Sequence, residues 1–408
     1  MPPKIQLDMR LSRLIEAYPQ TRSVFAAHGL GKLVDEENLP LIGPFLTLET
    51  ALLGHGVAPE NFLKLLYESE QQETALDAPS ELNTDETDPT HLLALMTCGL
   101  KVPFARALAA FINDLQNQHG EQVNYSVVSN LNHEHSYYPY VNHVKTVADL
   151  PDIIVSADFN AFYYHNFYDR FIQPGHFVDV MQKAPNRLFA DAGIIDPMHE
   201  YTILCVNPLV IVADLEKVGD RPLPRRWADL LDPVWRRDIT LRGNENFFCH
   251  AVLLPIYKEH GNAGIEALAR NVYDGRHPAQ MVKSAGSGRS AALYVIPDFF
   301  AHKIPDGKNV QRIWPEDGAL ASPVTLLVKK KRAAALKPIT DYLTGQELAR
   351  IFVDALFPSP YPAIENRIPD GATLKWIGWD YIRANDLEAA NAAIDKIFLP
   401  AVRRSGAV

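Results

Sequence analysis

Residues 92–129 read LLALMTCGLKVPFARALAAFINDLQNQHGEQVNYSVVS, and the reading of this stretch decides the fold class. LLALMTC (92–98) is an apolar run of the length of a buried strand. Phe104, Leu108, Phe111, Ile112 and Leu115 then recur at helical spacing, which predicts an amphipathic helix opened by Pro103 and stopped near Gly120. VNYSVVS (123–129) reads as a second strand. Strand, helix and strand in this order form the unit of a parallel sheet with both faces covered.

The same alternation continues downstream. DIIVSA (152–157), ILCV (203–206), LVIVA (209–213), DITL (238–241), ALYVI (292–296) and VTLLV (324–328) are further strand candidates separated by helical stretches. The fold class expected is therefore α/β with mainly parallel sheets. Upstream the pattern differs: Leu11, Leu14, Ile15 and Tyr18, and again Leu48, Leu52 and Leu53, mark a small helical domain over 1–68, broken at Gly29 and Gly31. Between the two lies ESEQQETALDAPSELNTDETDP (68–89), with eight acidic residues and no Lys or Arg, which reads as a solvated linker over 69–90 that leaves the helical domain able to move independently.

Composition narrows the function classes. A hydrophobic content of 47% with 22% charged residues is that of a globular chain, and 408 residues exceed one hydrophobic core, so several domains are expected. Residues 1–90 hold 6 Lys/Arg against 15 Asp/Glu, while the remainder holds 33 against 34, so the acidity sits at the N-terminus and the body is near neutral. With no basic run beyond Lys329–Arg332, a nucleic-acid partner is not expected. The start has no secretory leader pattern and no stretch approaches the roughly 18 apolar residues of a membrane span, so membrane insertion is not expected and a cytoplasmic location is, or a periplasmic one if a leader was removed. Cys98, Cys205 and Cys249 are odd in number and widely spaced, which fits neither a disulfide framework nor a metal knuckle.

In parallel sheets, ligands sit beyond the carboxyl ends of the strands. This selects the loops TCGLK (97–101), SNLNHEHSYY (129–138), SADFN (156–160), RGNENFF (242–248) and IPDFF (296–300). At the first, Thr97 and Lys101 beside a helix N-terminus form an anion cradle, with Cys98 as an alternative nucleophile. At the second, His133 and His135 stand two apart near Glu134 and Tyr138; they read either as polar loop groups for a solute or as a weak metal pair. DFNAFYYHNFYDR (158–170) is predicted as a helix whose aromatic stripe, Phe159, Phe162, Tyr163, Phe167 and Phe171, is core, with only its first turn reaching a cleft; His165 and Asp169 would pair on the solvent side. SAGSGR (284–289) lacks a nucleotide fingerprint and reads as a small-residue turn open to a solute.

RRWADLLDPVWRRDITL (225–241), SAGSGRSAALYVIPDFF (284–300), WPEDGALASPVTLLVKKK (314–331) and GQELARIF (345–352) resemble, in that order, the corresponding segments of bacterial ABC-transporter solute-binding proteins, particularly the ferric-iron and anion-binding branch. The resemblance spans roughly residues 90–400. It implies a two-lobed periplasmic-binding-protein-like fold, lobe 1 from 91–205 and 319–408 and lobe 2 from 206–318, hinged by crossover strands near 204–209 and 318–324. It further implies capture of a small polar or anionic solute, or a chelated metal such as ferric iron, without catalysis or cofactor, and an ABC permease as partner. The tandem tyrosines of the ferric branch have no match around Tyr294. LSRLIEAYPQTRSVFAAHGLGKL resembles a small helical domain found on iron-sulfur repair proteins, but no cysteine follows its glycines, so an interaction module for an unknown protein is expected. Other readings are a cytosolic solute sensor signalling through that domain, and a metal- or thiol-dependent enzyme using His133, His135 or Cys98. The solute contacts expected are Thr97, Cys98, Lys101, Asn130, His133, His135, Asp158, Asn160 and Tyr163 on one side, and Asn244, Ser284, Ser287 and Tyr294 on the other.

Overall fold

The computed structural model describes residues 4–73, 90–120, 122–129, 137–244 and 246–404. Most of the acidic segment expected as a linker, and Asn130, His133 and His135, lie outside them.

Three parallel strands, Val123–Ser129, Thr90–Met96 and Ile153–Ala157, form one wing of the sheet in that spatial order. Ile239–Asn244 lies parallel to Leu293–Pro297 and to Val272–Arg276 in the other wing. Two long strands join the wings: Thr202–Asp214 and Ala319–Lys329 pair with each other antiparallel, and each also pairs antiparallel with the wing beside it. The expected fold is thus present: two α/β halves around a pair of crossover strands.

The first crossover merges the two short runs read at 203–206 and 209–213 into one strand of 13 residues, all buried. Asn207-Pro208 looks like a turn in the sequence. Here Pro208 sits opposite Ala321 inside the ladder, and from Leu209 onward the strand is paired on its other side as well. The helix after the first strand also begins earlier than Pro103 suggests, at Cys98, and runs to His119.

Alternation along the strands shows why the first wing needs two covers. Leu92, Ala94 and Met96 belong to one apolar cluster with Leu100, Phe104 and Leu108 of that helix. Leu93 and Leu95 belong to another, which contains Tyr137, Phe162 and Phe167 of the aromatic segment and also Leu11, Phe25, Phe45 and Leu52 of the N-terminal helices. The helical domain is therefore docked on the body. Arg10 donates to the carbonyls of Asp149 (2.6 Å) and Ala148 (3.1 Å), Tyr137 donates to the Phe45 carbonyl at 3.4 Å, and Lys145 pairs with Glu49 at 2.5 Å. A Cβ on Gly54 would lie 2.6 Å from the Tyr140 ring, so the surfaces are in close contact. The expected independent motion of the domain is overturned by this shared core. The Tyr18 and Phe25 of its sequence motif are buried core residues.

DFNAFYYHNFYDR is not one helix. Asp158 takes a left-handed φ of 76°, and short turns at Ala161–Tyr163, His165–Phe167 and Tyr168–Ile172 follow. Its aromatics are nevertheless core: Phe162 meets Phe167 edge-on at 5.1 Å and Tyr163 stacks on Tyr201 at 5.0 Å. His165 does not pair with Asp169; its Nε2 is buried without a partner, because the broken helix loses the four-residue register that a regular one would give.

The C-terminal helix Leu387–Arg404 packs along the helix His250–Asn271, with Phe398 against Phe248 at 5.0 Å. It also reaches the other half, where Asn391 donates to the Tyr164 hydroxyl at 3.3 Å and Glu388 accepts from Asn142 at 3.1 Å. The helix spans the gap between the two wings.

Candidate solute cleft

A cavity of about 260 Å³ lies where the carboxyl ends of the two wings face each other. Asp158, Phe159 and Asn160 follow the strand Ile153–Ala157; Tyr138 and Asn142 come from the segment beside it. Arg242 lies near the carboxyl end of its strand on the opposite wing, His250 opens the helix behind it, and Tyr164 and Glu388 close the sides.

The first-wing groups are fixed by their own backbone. Asp158 donates its N–H to the Pro323 carbonyl of the second crossover at 2.8 Å and accepts from the Ser322 hydroxyl at 3.0 Å, which holds its strained turn. Asn160 caps the next turn through Phe162 N (2.9 Å) and donates to the Tyr138 hydroxyl (3.3 Å). Burial, and then the Asp158 charge, push the Tyr138 phenol far above its ordinary pKa; burial also raises Tyr164, offset in part by Asn391. Both phenols are protonated at neutral pH and serve as hydroxyl donors.

Arg242 is the central cation. Its side chain is 12% exposed, and its printed contacts, to the Asp158 carboxylate at 3.5 Å and to the Cys249 sulfur, both run through Nη1, which leaves most of its five donors for another partner. Cys249 lies 3.9 Å from it; burial first, and Asp158 second, push that thiol up to about 11, so no thiolate competes for the guanidinium at neutral pH. His250 is held by Asp395 at 2.9 Å.

Arg242 also borders a second, smaller cavity, with Thr97, Cys98, Asn207, His277 and Phe299 around it. The two wings touch here, since a Cβ on Gly99 would fall 2.5 Å from the Phe299 ring.

Of the expected contacts, Asp158 and Asn160 line the larger cavity, and Thr97 and Cys98 the smaller. Lys101 lies on the first turn of its helix and borders neither. Tyr163 is buried behind the cleft, bonded to Thr325. Asn244 sits two residues beyond Arg242 and accepts from the backbone of Asn246 at 2.9 Å, shaping a turn. Ser284, Ser287 and Tyr294 are not brought to either cavity. Tyr294 pairs in register with Thr240, near the amino end of its strand, whereas the cleft lies at the carboxyl end by Pro297. Arg242, Tyr164, His250 and Glu388 were not singled out from the sequence. Arg242 lies within the selected loop RGNENFF as its one cation, a signal that could have found it; nothing local marks Glu388. Among the described residues no group of three His, Cys, Asp or Glu stands ready to hold a metal, and no helix is long and apolar enough to cross a membrane.

Two α/β wings, a crossover pair and a cavity between facing strand ends define a two-lobed solute-binding protein. Residues 148–385 match the family described as bacterial extracellular solute-binding protein, and the chain belongs to that family, whose members bind solutes and are not enzymes. Residues 5–63 match a domain of unknown function (DUF1858). No curated protein matches the chain. Solved structures with a similar fold include a Bordetella ferric binding protein (13% identity, TM-score 0.52, covering 76% of this chain and 99% of that one). A ferric binding protein from Campylobacter jejuni is similar at 12% identity and TM-score 0.54, with 76% and 99% covered. A Trichodesmium protein in complex with iron and citrate ligands is similar at 12% and 0.53, with 77% and 99% covered.

Proposed function

We propose that this protein captures a small polar or anionic solute, or a chelated metal, in the cleft between its lobes and presents it to an ABC permease. The observation that carries the reading is Arg242: a nearly buried guanidinium with unused donors, at the meeting point of both cavities, facing hydroxyl and amide groups of the other lobe. A bare ferric ion suits this site poorly, because a fixed cation stands at its centre and both cleft phenols hold their protons. A metal carried by an anionic chelator avoids that conflict, since the chelator's oxygens can meet the guanidinium.

Native mass spectrometry of the protein as purified tests the reading by the mass that accompanies it. Arg242→Gln should release that mass and weaken rebinding by about 30- to 150-fold, as loss of hydrogen bonds to a charged group costs about 2–3 kcal/mol. Unchanged binding in Arg242→Gln would remove Arg242 from the site.

A second reading, a sensor that signals through the N-terminal domain, draws support from one contact surface. The segment whose Tyr138 and Asn142 line the cavity carries Tyr137 and Tyr140 against that domain, with His55 Nε2 3.1 Å from the Tyr140 hydroxyl. Hydrogen exchange in residues 45–57 should slow on solute binding under this reading, and stay unchanged if the domain is a passive cover.

A further inference from the structure

The C-terminal helix Leu387–Arg404 treats the two lobes differently. Toward the second lobe it has an apolar anchor: Phe398 meets Phe248 at 5.0 Å, and Ile394 and Val402, four residues to either side, are buried with it. Asp395 pairs with His250 at 2.9 Å, and Arg403 donates to the Asn246 side chain at 3.0 Å. Toward the first lobe it offers hydrogen bonds near its amino end, from Asn391 to the Tyr164 hydroxyl at 3.3 Å and from Asn142 to Glu388 at 3.1 Å.

The helix before it, Trp379–Ala384, is held to the first lobe instead. Trp379 donates to the Ile194 carbonyl at 2.8 Å, and Arg383 pairs with Asp196 and, at 3.0 Å, with Glu200. That segment leads into Tyr201, whose ring stacks on Tyr163. Only Asn385 and Asp386 separate the two helices, and Asn385 is extended. Rotation at these two residues would lift the last helix off the first lobe and leave its apolar anchor whole. The contact that parts is a wall of the larger cavity, since Tyr164, Asn142 and Glu388 all line it.

Asn391 is poorly chosen for stability alone. It is 5% exposed and its Oδ1 is buried with no partner, which an apolar side chain of the same branched outline would cure. What its amide contributes is the bond to Tyr164. With the Tyr164 oxygen accepting from Asn391, the phenol's own proton is left for the cavity.

We propose, resting on the solute-binding reading, that the C-terminal helix is a strap that travels with the second lobe and closes on the first, and that Asn391 is the positioning residue that turns the Tyr164 hydroxyl toward the solute. The family resemblance would instead carry this helix with the first lobe.

The test uses the full chain, with the small-molecule fraction released from it by heat as the added probe. Hydrogen exchange in residues 387–392 should slow when the fraction is added back, whereas 394–402 should change little, being docked on the second lobe in both states. Asn391→Leu should release the bound mass roughly 2- to 13-fold faster, the worth of one hydrogen bond, with a melting temperature without the fraction equal to or above that of the parent. A purely structural asparagine would do the reverse, lowering the melting temperature and leaving release unchanged, and that result overturns the positioning role. Slowing that extends equally over 394–402, or no slowing in 387–392 while the probe binds in an Arg242-dependent way, overturns the strap and leaves the solute-binding reading standing. If no part of the chain responds to the fraction and Arg242→Gln behaves as the parent, the strap falls together with that reading.

Discussion

Arg242 and Asp158, at the carboxyl ends of strands in opposite lobes, stand 3.5 Å apart across the cleft, so the protein carries its own carboxylate where an anionic solute would meet the guanidinium. Asp158 pulls part of Arg242's charge away from a ligand. Asp158→Asn removes that competition and keeps a residue that tolerates the left-handed φ of 76° and can still accept from Ser322. Affinity for the copurifying anion should rise several-fold in Asp158→Asn by titration calorimetry. A fall would mean that Asp158 itself holds the solute.

Gly99 sets how closely the lobes approach. The atoms a Cβ would meet are ring carbons of Phe299 at 2.5, 2.6 and 2.9 Å, and that ring is backed by Phe300 at 4.2 Å and Phe357 at 5.2 Å, so it cannot step aside cheaply. Alanine is a better helix former than glycine by about 1 kcal/mol. Gly99→Ala should therefore leave the helix intact but hold the lobes apart, giving a larger radius of gyration at saturating solute by small-angle scattering and a weaker affinity. An unchanged radius and affinity would show that closure does not need this contact.

The N-terminal domain shares its core with the body, so its deletion uncovers Tyr137, Tyr140 and Val141 and one face of the first-lobe sheet. Removal of residues 1–88 should lower the melting temperature sharply and expose apolar surface to a hydrophobic dye. A milder cut, Arg10→Met, loses the bonds to the Asp149 and Ala148 carbonyls and should cost about 1.5–3 kcal/mol in denaturant titration. A deletion variant as stable as the full chain would restore the independent domain expected from the acidic segment.

Burial raises the pKa of Tyr137, Tyr163 and Tyr201 far beyond the ordinary phenol value, and that of Tyr140 and Tyr342 to about 12. Folded values above unfolded ones mean that this stability is fully present below the unfolded pKa of about 10 and is lost as pH climbs from there through the raised folded values, because only the unfolded chain releases these protons in that window. Tyrosinate absorbance and loss of helical circular dichroism should rise together in one steep alkaline transition. A gradual ionisation that precedes unfolding would show these phenols to be open to solvent.

The residue pattern by itself determined the layered α/β class and the core role of the aromatic cluster, whereas the crossover pair was expected only from the family resemblance. Apolar runs such as LLALM and VTLLV must be covered on both faces wherever they lie, and rings like Phe162 and Phe167 bury themselves even though the helix expected to carry them breaks at Asp158. The loop rule also found Asp158, Asn160 and Thr97, because position after a strand is a local property. Tertiary structure alone decided the rest. Glu388 and Asn391 reach the cleft from a helix more than two hundred residues beyond Tyr164, and Tyr294 is turned away by strand direction, which no spacing reveals. The docking of the N-terminal helices was hidden for a related reason: Leu93 and Leu95 called for a cover, but only the chain path decided that the cover would be a domain from the far side of an acidic segment. Local pattern fixes which residues must leave water, whereas their partners depend on long-range packing, and the cleft was legible only where its groups follow directly from a strand end.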